Sequence, residues 1–178
     1  MGTKVVVMTS RRLLVLRHAK SSWHDPDLED HDRPLNVRGR DAAARVGEYL
    51  RQEGIRPDLV LCSPAERARQ TLEGLGLGLG EAGEAGEAVE TSFEPDLYGG
   101  RVSELISRVR RVPDTVSSVL VIGHNPGLHE LCATLAADPS AVTSFPTAAL
   151  AELAFGGSWA DLGPGLARVT RFVVPREL

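Results

Sequence analysis

Two histidines and three arginines stand where short apolar runs give way to polar residues. Arg17-His18 follows Leu13-Leu14-Val15-Leu16, and Ser63-Pro64, with Arg67 one helical turn on, follows Leu59-Val60-Leu61-Cys62. Gly123-His124 closes a third run, Val116 to Ile122, and Arg33 lies in the polar stretch after the first. A phosphoryl group carries about two negative charges at neutral pH. Guanidinium grips such oxygens in a bidentate fork and keeps its proton. Imidazole titrates near neutrality, so it can attack phosphorus, move a proton or stabilise charge. Phosphoryl transfer asks the protein mainly to position groups and neutralise developing charge. A histidine nucleophile in a cage of arginines suits these residue types. Taken singly, each has a plainer role: an arginine after a strand is usually a surface charge, and a lone histidine a satisfied structural residue.

These residues meet only if the elements before them lie side by side. Unbroken apolar stretches of four residues, Val119 to Ile122 in the third run, suggest strands buried on both faces, as in a parallel sheet. In open α/β sheets ligands bind at the carboxyl ends of the strands, where all three runs carry their reactive residues. Helical patterns separate the runs. Val37 to Gly54 places Ala42, Ala43, Val46, Tyr49 and Leu50 on one face, with Gly54 as C-cap. Ser63 and Pro64 are suited to N-cap and first position of the next helix. Arg101–Val112 and Gly127–Ala137 are also helical in pattern. Ala148–Phe155 and Leu166–Val174 suggest strands around a Gly/Pro turn, a terminal hairpin that could add an antiparallel edge. The expectation is a three-layer α/β/α sandwich with a mostly parallel central sheet. It forms one domain over residues 11–178, after an extension of residues 1–10. Residues 74–88, GLGLGLGEAGEAGEA, suggest a flexible acidic surface loop. A dinucleotide-binding glycine loop does not fit there, because such a loop follows a strand and this one trails a helix.

The chain has 178 residues, 42% hydrophobic and 25% charged, with 20 Lys and Arg against 24 Asp and Glu. The resulting charge of −4 gives no basic excess for a nucleic acid. No apolar run approaches the ~20 residues of a membrane span. Cys62 and Cys132 sit in apolar surroundings and suit small core positions in a reducing compartment. A cytoplasmic protein with no nucleic-acid or membrane partner is expected.

The motifs resemble a known family. Leu16-Arg17-His18-Ala19-Lys20, followed by Arg33-Pro34-Leu35-Asn36 and Gly39, resembles the SixA-type phosphohistidine phosphatases of the histidine phosphatase (phosphoglycerate mutase-like) superfamily. Ser63-Pro64-Ala65-Glu66-Arg67-Ala68-Arg69-Gln70-Thr71 is similar to that family's second motif, and Val121 to Pro126 to its second histidine motif. Phe145-Pro146-Thr147-Ala148 also looks like this branch. The motifs run in family order across residues 13–135. Ala19 stands where the superfamily usually has glycine.

The resemblance implies a phosphoglycerate mutase-like fold and a role for each motif residue. His18 would attack phosphorus and become phosphohistidine; Arg17, Arg33 and Arg67 would clamp the phosphoryl oxygens; His124 would hydrogen-bond the phosphoryl group. Water would then release phosphate, without a metal or other cofactor. The implied substrate is a phosphohistidine-bearing signalling or transport protein. The compact chain lacks the inserted cap of larger relatives, which suits an open site.

Two alternatives share this framework: a small-molecule phosphomonoesterase, and a phosphate-binding regulatory module without turnover. The first needs a carboxylic acid for its leaving group, and Asp25, Asp27, Glu29, Asp30 and Asp32 cannot be told apart by spacing. A metal hydrolase using His18 with His24, or His124 with His129, lacks the helical i+4 spacing of common zinc motifs. Ser63 is expected to cap its helix rather than act, and Asn125 to fix the turn before Pro126. Lys20 and Arg69 could raise the local potential or be solvated. His24, His31 and His129 are expected to stand outside the chemistry, and Trp23 to line the pocket mouth or anchor its loop.

Overall fold

The computed structural model describes residues 10–77 and 89–178. Strand β1 (Ser10–Arg17) is followed by α1 (Val37–Gln52), β2 (Leu59–Cys62), α2 (Glu66–Leu75), β3 (Glu90–Phe93) and the single turn α3 (Asp96–Gly99). Then come α4 (Val102–Arg110), β4 (Ser118–Gly123), α5 (Gly127–Leu135), β5 (Leu150–Gly156) and β6 (Arg168–Val173). The strands form one sheet in the order β3-β2-β4-β1-β5-β6. The first four run parallel; β5 is antiparallel to both β1 and β6.

Period-2 alternation divides the apolar runs between two cores. Leu13 and Val15 of β1, Leu61 of β2 and Val119 and Val121 of β4 pack with α4 and α5 residues such as Leu105, Val109, Leu128 and Leu131. Leu14, Leu16, Val60, Cys62, Leu120 and Ile122 face α1 and α2, against Ala43, Val46, Leu50, Ala68 and Leu72. This is the expected three-layer α/β/α arrangement. Burying each such aliphatic side chain is worth about 1.5–3 kcal/mol, which explains why the strands are apolar on both faces.

Glycine matters where backbones nearly touch. A Cβ on Gly39, in the first turn of α1, would lie 2.2 Å from the Lys20 carbonyl oxygen, and one on Gly47 would lie 2.2 Å from that of Leu75. The first contact seats α1 on the loop that follows His18; the second brings α1 against α2.

Several boundaries move. Ser10, assigned to the extension, begins β1 and pairs with Gly156; residues 1–9 lie outside the described residues. Gly74 and buried Leu75, assigned to the glycine-rich loop, complete α2, and residues 78–88 lie outside the described residues. The α2 helix starts at Glu66 with Ala65 as N-cap, so Ser63 and Pro64 precede it. The hairpin β5–β6 is present, and β5 also extends the parallel sheet by pairing with β1. The edge strand β3 and the turn α3 were not expected. The segment Glu-Thr-Ser-Phe of β3 has no apolar run, because an edge strand is half solvated.

Candidate active site

The parallel strands deliver their carboxyl ends to one edge. His18 N donates to the Gly123 carbonyl at 3.0 Å, and Ser63 N donates to the Ile122 carbonyl at 2.9 Å. The His18 and His124 rings consequently lie 4.8 Å apart between centroids. His18 is 8% exposed. Its Nδ1 lies 2.7 Å from the Ala19 carbonyl oxygen. A carbonyl only accepts, so the ring proton sits on Nδ1 and Nε2 keeps its lone pair. Ala19 is itself held: its N–H donates to Thr71 Oγ1 at 3.0 Å, and that hydroxyl donates to the Arg67 carbonyl at 2.6 Å.

His124 meets Ser63. Their Nε2 and Oγ atoms are 2.8 Å apart, and Ser63 Oγ also accepts the Ala65 N–H at 3.3 Å. The other ring nitrogen, Nδ1, is buried and has no partner among the described residues. Burial pulls the His18 imidazole down to about 4; the Ala19 hydrogen bond opposes this, and the Arg67 and Arg17 charges add to it. Burial, then the neighbouring His18, Arg67 and Arg17, pulls His124 down to about 3, with Asp30 opposing. Both rings are therefore neutral near pH 7 in the free protein.

The arginines divide their work. Arg17 Nη1 donates to the Phe145 carbonyl at 2.9 Å, while its buried Nε has no partner among the described residues. The same carbonyl accepts Asn125 Nδ2 at 2.8 Å, so Asn125 braces the Arg17 side of the site, and its Oδ1 has no partner among the described residues. Arg67 Nη2 donates to Asp30 Oδ2 at 2.8 Å, and Nη1 bonds the Asp30 carbonyl. Arg33 stacks on Trp23, 3.7 Å from the ring centroid, and its charge is felt at Asp30. Its Nε and Nη1 are buried without a partner among the described residues. The site thus gathers His18, Arg17, Arg67 and His124 directly, with Arg33 on the Asp30 side.

Tyr98 and Asp30 complete the rim. The Tyr98 ring meets His124 edge-on at 5.3 Å and His31 at 5.1 Å, and its hydroxyl donates to Asp30 Oδ2 at 2.9 Å. Burial pushes the Asp30 carboxyl up, but hydrogen bonds from Tyr98 and Arg67 and the charges of Arg67 and Arg33 outweigh it. The net effect holds Asp30 below the ordinary carboxylate range, and so ionised. A cavity of about 240 Å³ opens beside His124, Tyr98 and Arg101. A second, of about 600 Å³, lies along Lys20, Trp23 and Arg40.

Other candidates fall outside. His24 is exposed. His129 turns to the Val142 carbonyl and stacks on Phe145. Among the described residues no three His, Cys, Asp or Glu side chains gather as metal ligands. Arg69 donates to the Pro64 carbonyl and covers Phe93. Lys20 is exposed beside the larger cavity. Trp23, 74% exposed, both lines that cavity and supports Arg33. Ser63, expected to be an N-cap, instead holds His124, and Tyr98 was missed. Tyr98 follows β3, a fourth parallel strand whose carboxyl end reaches the same edge, and β3 carries no apolar run that would have marked it in the sequence.

An imidazole whose Nε2 keeps its lone pair, a second imidazole 4.8 Å away and a set of guanidiniums define a phosphoryl-handling class of site. Residues 13–97 match the model of the histidine phosphatase superfamily (branch 1), and the chain belongs to that superfamily. A protein of uncharacterised function from Mycobacterium tuberculosis is 38% identical over 169 residues, covering 90% of this chain and all of the relative. Two solved structures, both provisionally named as phosphohistidine phosphatase SixA, are similar throughout. The one from Nakamurella multipartitia has a TM-score of 0.81 and 32% identity, covering 93% of this chain and 96% of its own. The one from Agrobacterium tumefaciens has a TM-score of 0.74 and 28% identity, covering 93% and 98%. The chain is a phosphatase of this superfamily. Among the described residues, no helix is long and apolar enough to cross a membrane.

Proposed function

We propose that this phosphatase hydrolyses phosphohistidine on a protein, through a covalent phosphohistidine at His18, and releases inorganic phosphate. The observation that carries the reading is the Nδ1 hydrogen bond of His18 to the Ala19 carbonyl, which leaves a neutral Nε2 lone pair beside Arg67 and Arg17. Arg17, Arg33 and Arg67 bind the phosphoryl oxygens, and His124 donates to one of them. When His18 is phosphorylated its ring becomes cationic, and the Ala19 carbonyl stabilises the proton on Nδ1. Water then attacks phosphorus, the P–N bond returns its pair to Nε2, and the proton lost by water leaves with phosphate or solvent.

The rim supports a P–N rather than a P–O substrate. An alkoxide needs a proton donor. Asp30, the carboxylate bonded to Arg67 and Tyr98, is held ionised. Imidazole leaves without that help. The guanidiniums supply the compensating charge, so no metal is required. The partner is a histidine-phosphorylated signalling or transport protein, and two buried free cysteines suit a reducing cytoplasm. Phosphate release from a histidine-phosphorylated protein and from an aryl phosphate, with and without chelator, tests the reading. Chelator-resistant release that favours phosphohistidine and disappears in His18→Ala is expected. Preference for the ester, or release that survives His18→Ala, would overturn it.

A further inference from the structure

Asp30 touches the phosphate-binding apparatus yet has no part to play as an acid. Arg67 Nη2 and the Tyr98 hydroxyl both donate to its Oδ2, at 2.8 and 2.9 Å. Neither bond uses Oδ1, so that oxygen is open to a further donor. The Asp30 side chain is 55% exposed, whereas His18 is 8% exposed. In-line transfer places nucleophile and leaving group on opposite sides of phosphorus. His18 attacks from the buried side, so the leaving group departs on the solvent side. Asp30 and Tyr98 stand there.

Resting on the phosphohistidine reading above, we infer that Asp30 determines leaving-group specificity: its carboxylate accepts a hydrogen bond from the N–H of the substrate's phosphoimidazolium ring. The His18 Nε2 lone pair forms the new bond to phosphorus. The substrate's P–N bond breaks, and its pair stays on that nitrogen. The departing ring keeps the proton on its other nitrogen and leaves as neutral imidazole, while His18 becomes the cation. The two rings exchange roles, with the Ala19 carbonyl serving the Nδ1–H of His18 and Asp30 serving the N–H of the substrate. A carboxylate at that place keeps more of the bound substrate in its cationic, better-leaving form. It also repels the negative charge that develops on a departing phenolate or alkoxide. One residue thereby favours P–N and disfavours P–O cleavage.

The test compares wild type, Asp30→Asn and Asp30→Glu on free phosphohistidine and p-nitrophenyl phosphate across pH 5 to 9. Free phosphohistidine removes any contribution from protein docking. In Asp30→Asn, kcat/KM for phosphohistidine at pH 8 is expected to fall about tenfold or more, the scale of a hydrogen bond to a charged group. The alkaline limb of kcat moves to lower pH, and turnover of the aryl ester rises. Asp30→Glu recovers part of the phosphohistidine rate. An equal fall on both substrates with an unmoved alkaline limb would overturn the inference, because Asp30 would then only hold Arg67. A rise on both substrates would overturn it too, making the carboxylate a mere occupant of the phosphate site. Wild type that cleaves the ester but not phosphohistidine would refute the proposed function, and this inference with it.

Discussion

Replacing Ser63 by alanine separates the part played by His124 from that of His18. The Ser63 hydroxyl has one hydrogen. Its oxygen already accepts the Ala65 N–H at 3.3 Å, and its hydrogen is free for His124 Nε2, 2.8 Å away. A ring that accepts at Nε2 carries its proton on Nδ1. That atom is buried without a partner among the described residues, and in the proposed mechanism it is the donor for a phosphoryl oxygen. Alanine removes the tautomer lock and leaves Nε2 unpaired in a buried setting. An unsatisfied buried polar group costs about 1–3 kcal/mol, or roughly a five- to 150-fold loss of rate if it falls on the transition state. Steady-state kinetics of Ser63→Ala should show kcat reduced within that range, with KM changed much less. Ser63→Thr, which keeps the hydroxyl, should recover part of the loss. A folded Ser63→Ala protein with kcat within about twofold of wild type would refute the reasoning.

Gly39→Ala drives a Cβ to within 2.2 Å of the Lys20 carbonyl oxygen. Overpacking against backbone costs about 1–3 kcal/mol, so the thermal midpoint should fall by roughly 2–12 °C; an unchanged midpoint would contradict the close contact. The folded values of about 4 for His18 and about 3 for His124 lie below that of an unfolded imidazole, near 6.5. Between those limits the unfolded chain binds more protons, so stability is complete above pH 6.5 and falls by a few kcal/mol towards pH 4. Urea midpoints should drop more steeply between pH 7 and 5 in wild type than in His18→Gln, and parallel curves would refute the assignment. Trp23→Ala strips the ring that lies 3.7 Å from the Arg33 guanidinium. A cation–π contact of about 0.5–1 kcal/mol at an exposed site predicts a two- to fivefold rise in KM, and no change in KM would detach Arg33 from phosphate binding.

The strands that position the site were legible because burial on both faces demands unbroken apolar runs. Leu13 to Leu16 and Leu59 to Cys62 admit few other structures. The reactive residues were legible because they follow those runs directly. The edge strand β3 was not, since a half-solvated strand needs no apolar run, and with it went Tyr98. Ser63 shows a different gap. Ser-Pro before a helical pattern suits a cap equally well, and only the approach of β4 brings His124 to its hydroxyl. Asp30 was one of five carboxylates in a loop without periodicity. Its contact with Arg67 comes from packing of that loop against α2, which local sequence does not encode.

The most direct test of the central claim is a rapid quench of the enzyme with a radiolabelled phosphohistidine substrate, followed by mapping of the label. The account predicts an acid-labile, alkali-stable phosphoenzyme that forms before phosphate is released, maps to His18 and is absent from His18→Ala. Phosphate released at the full wild-type rate with no label on His18 would contradict it.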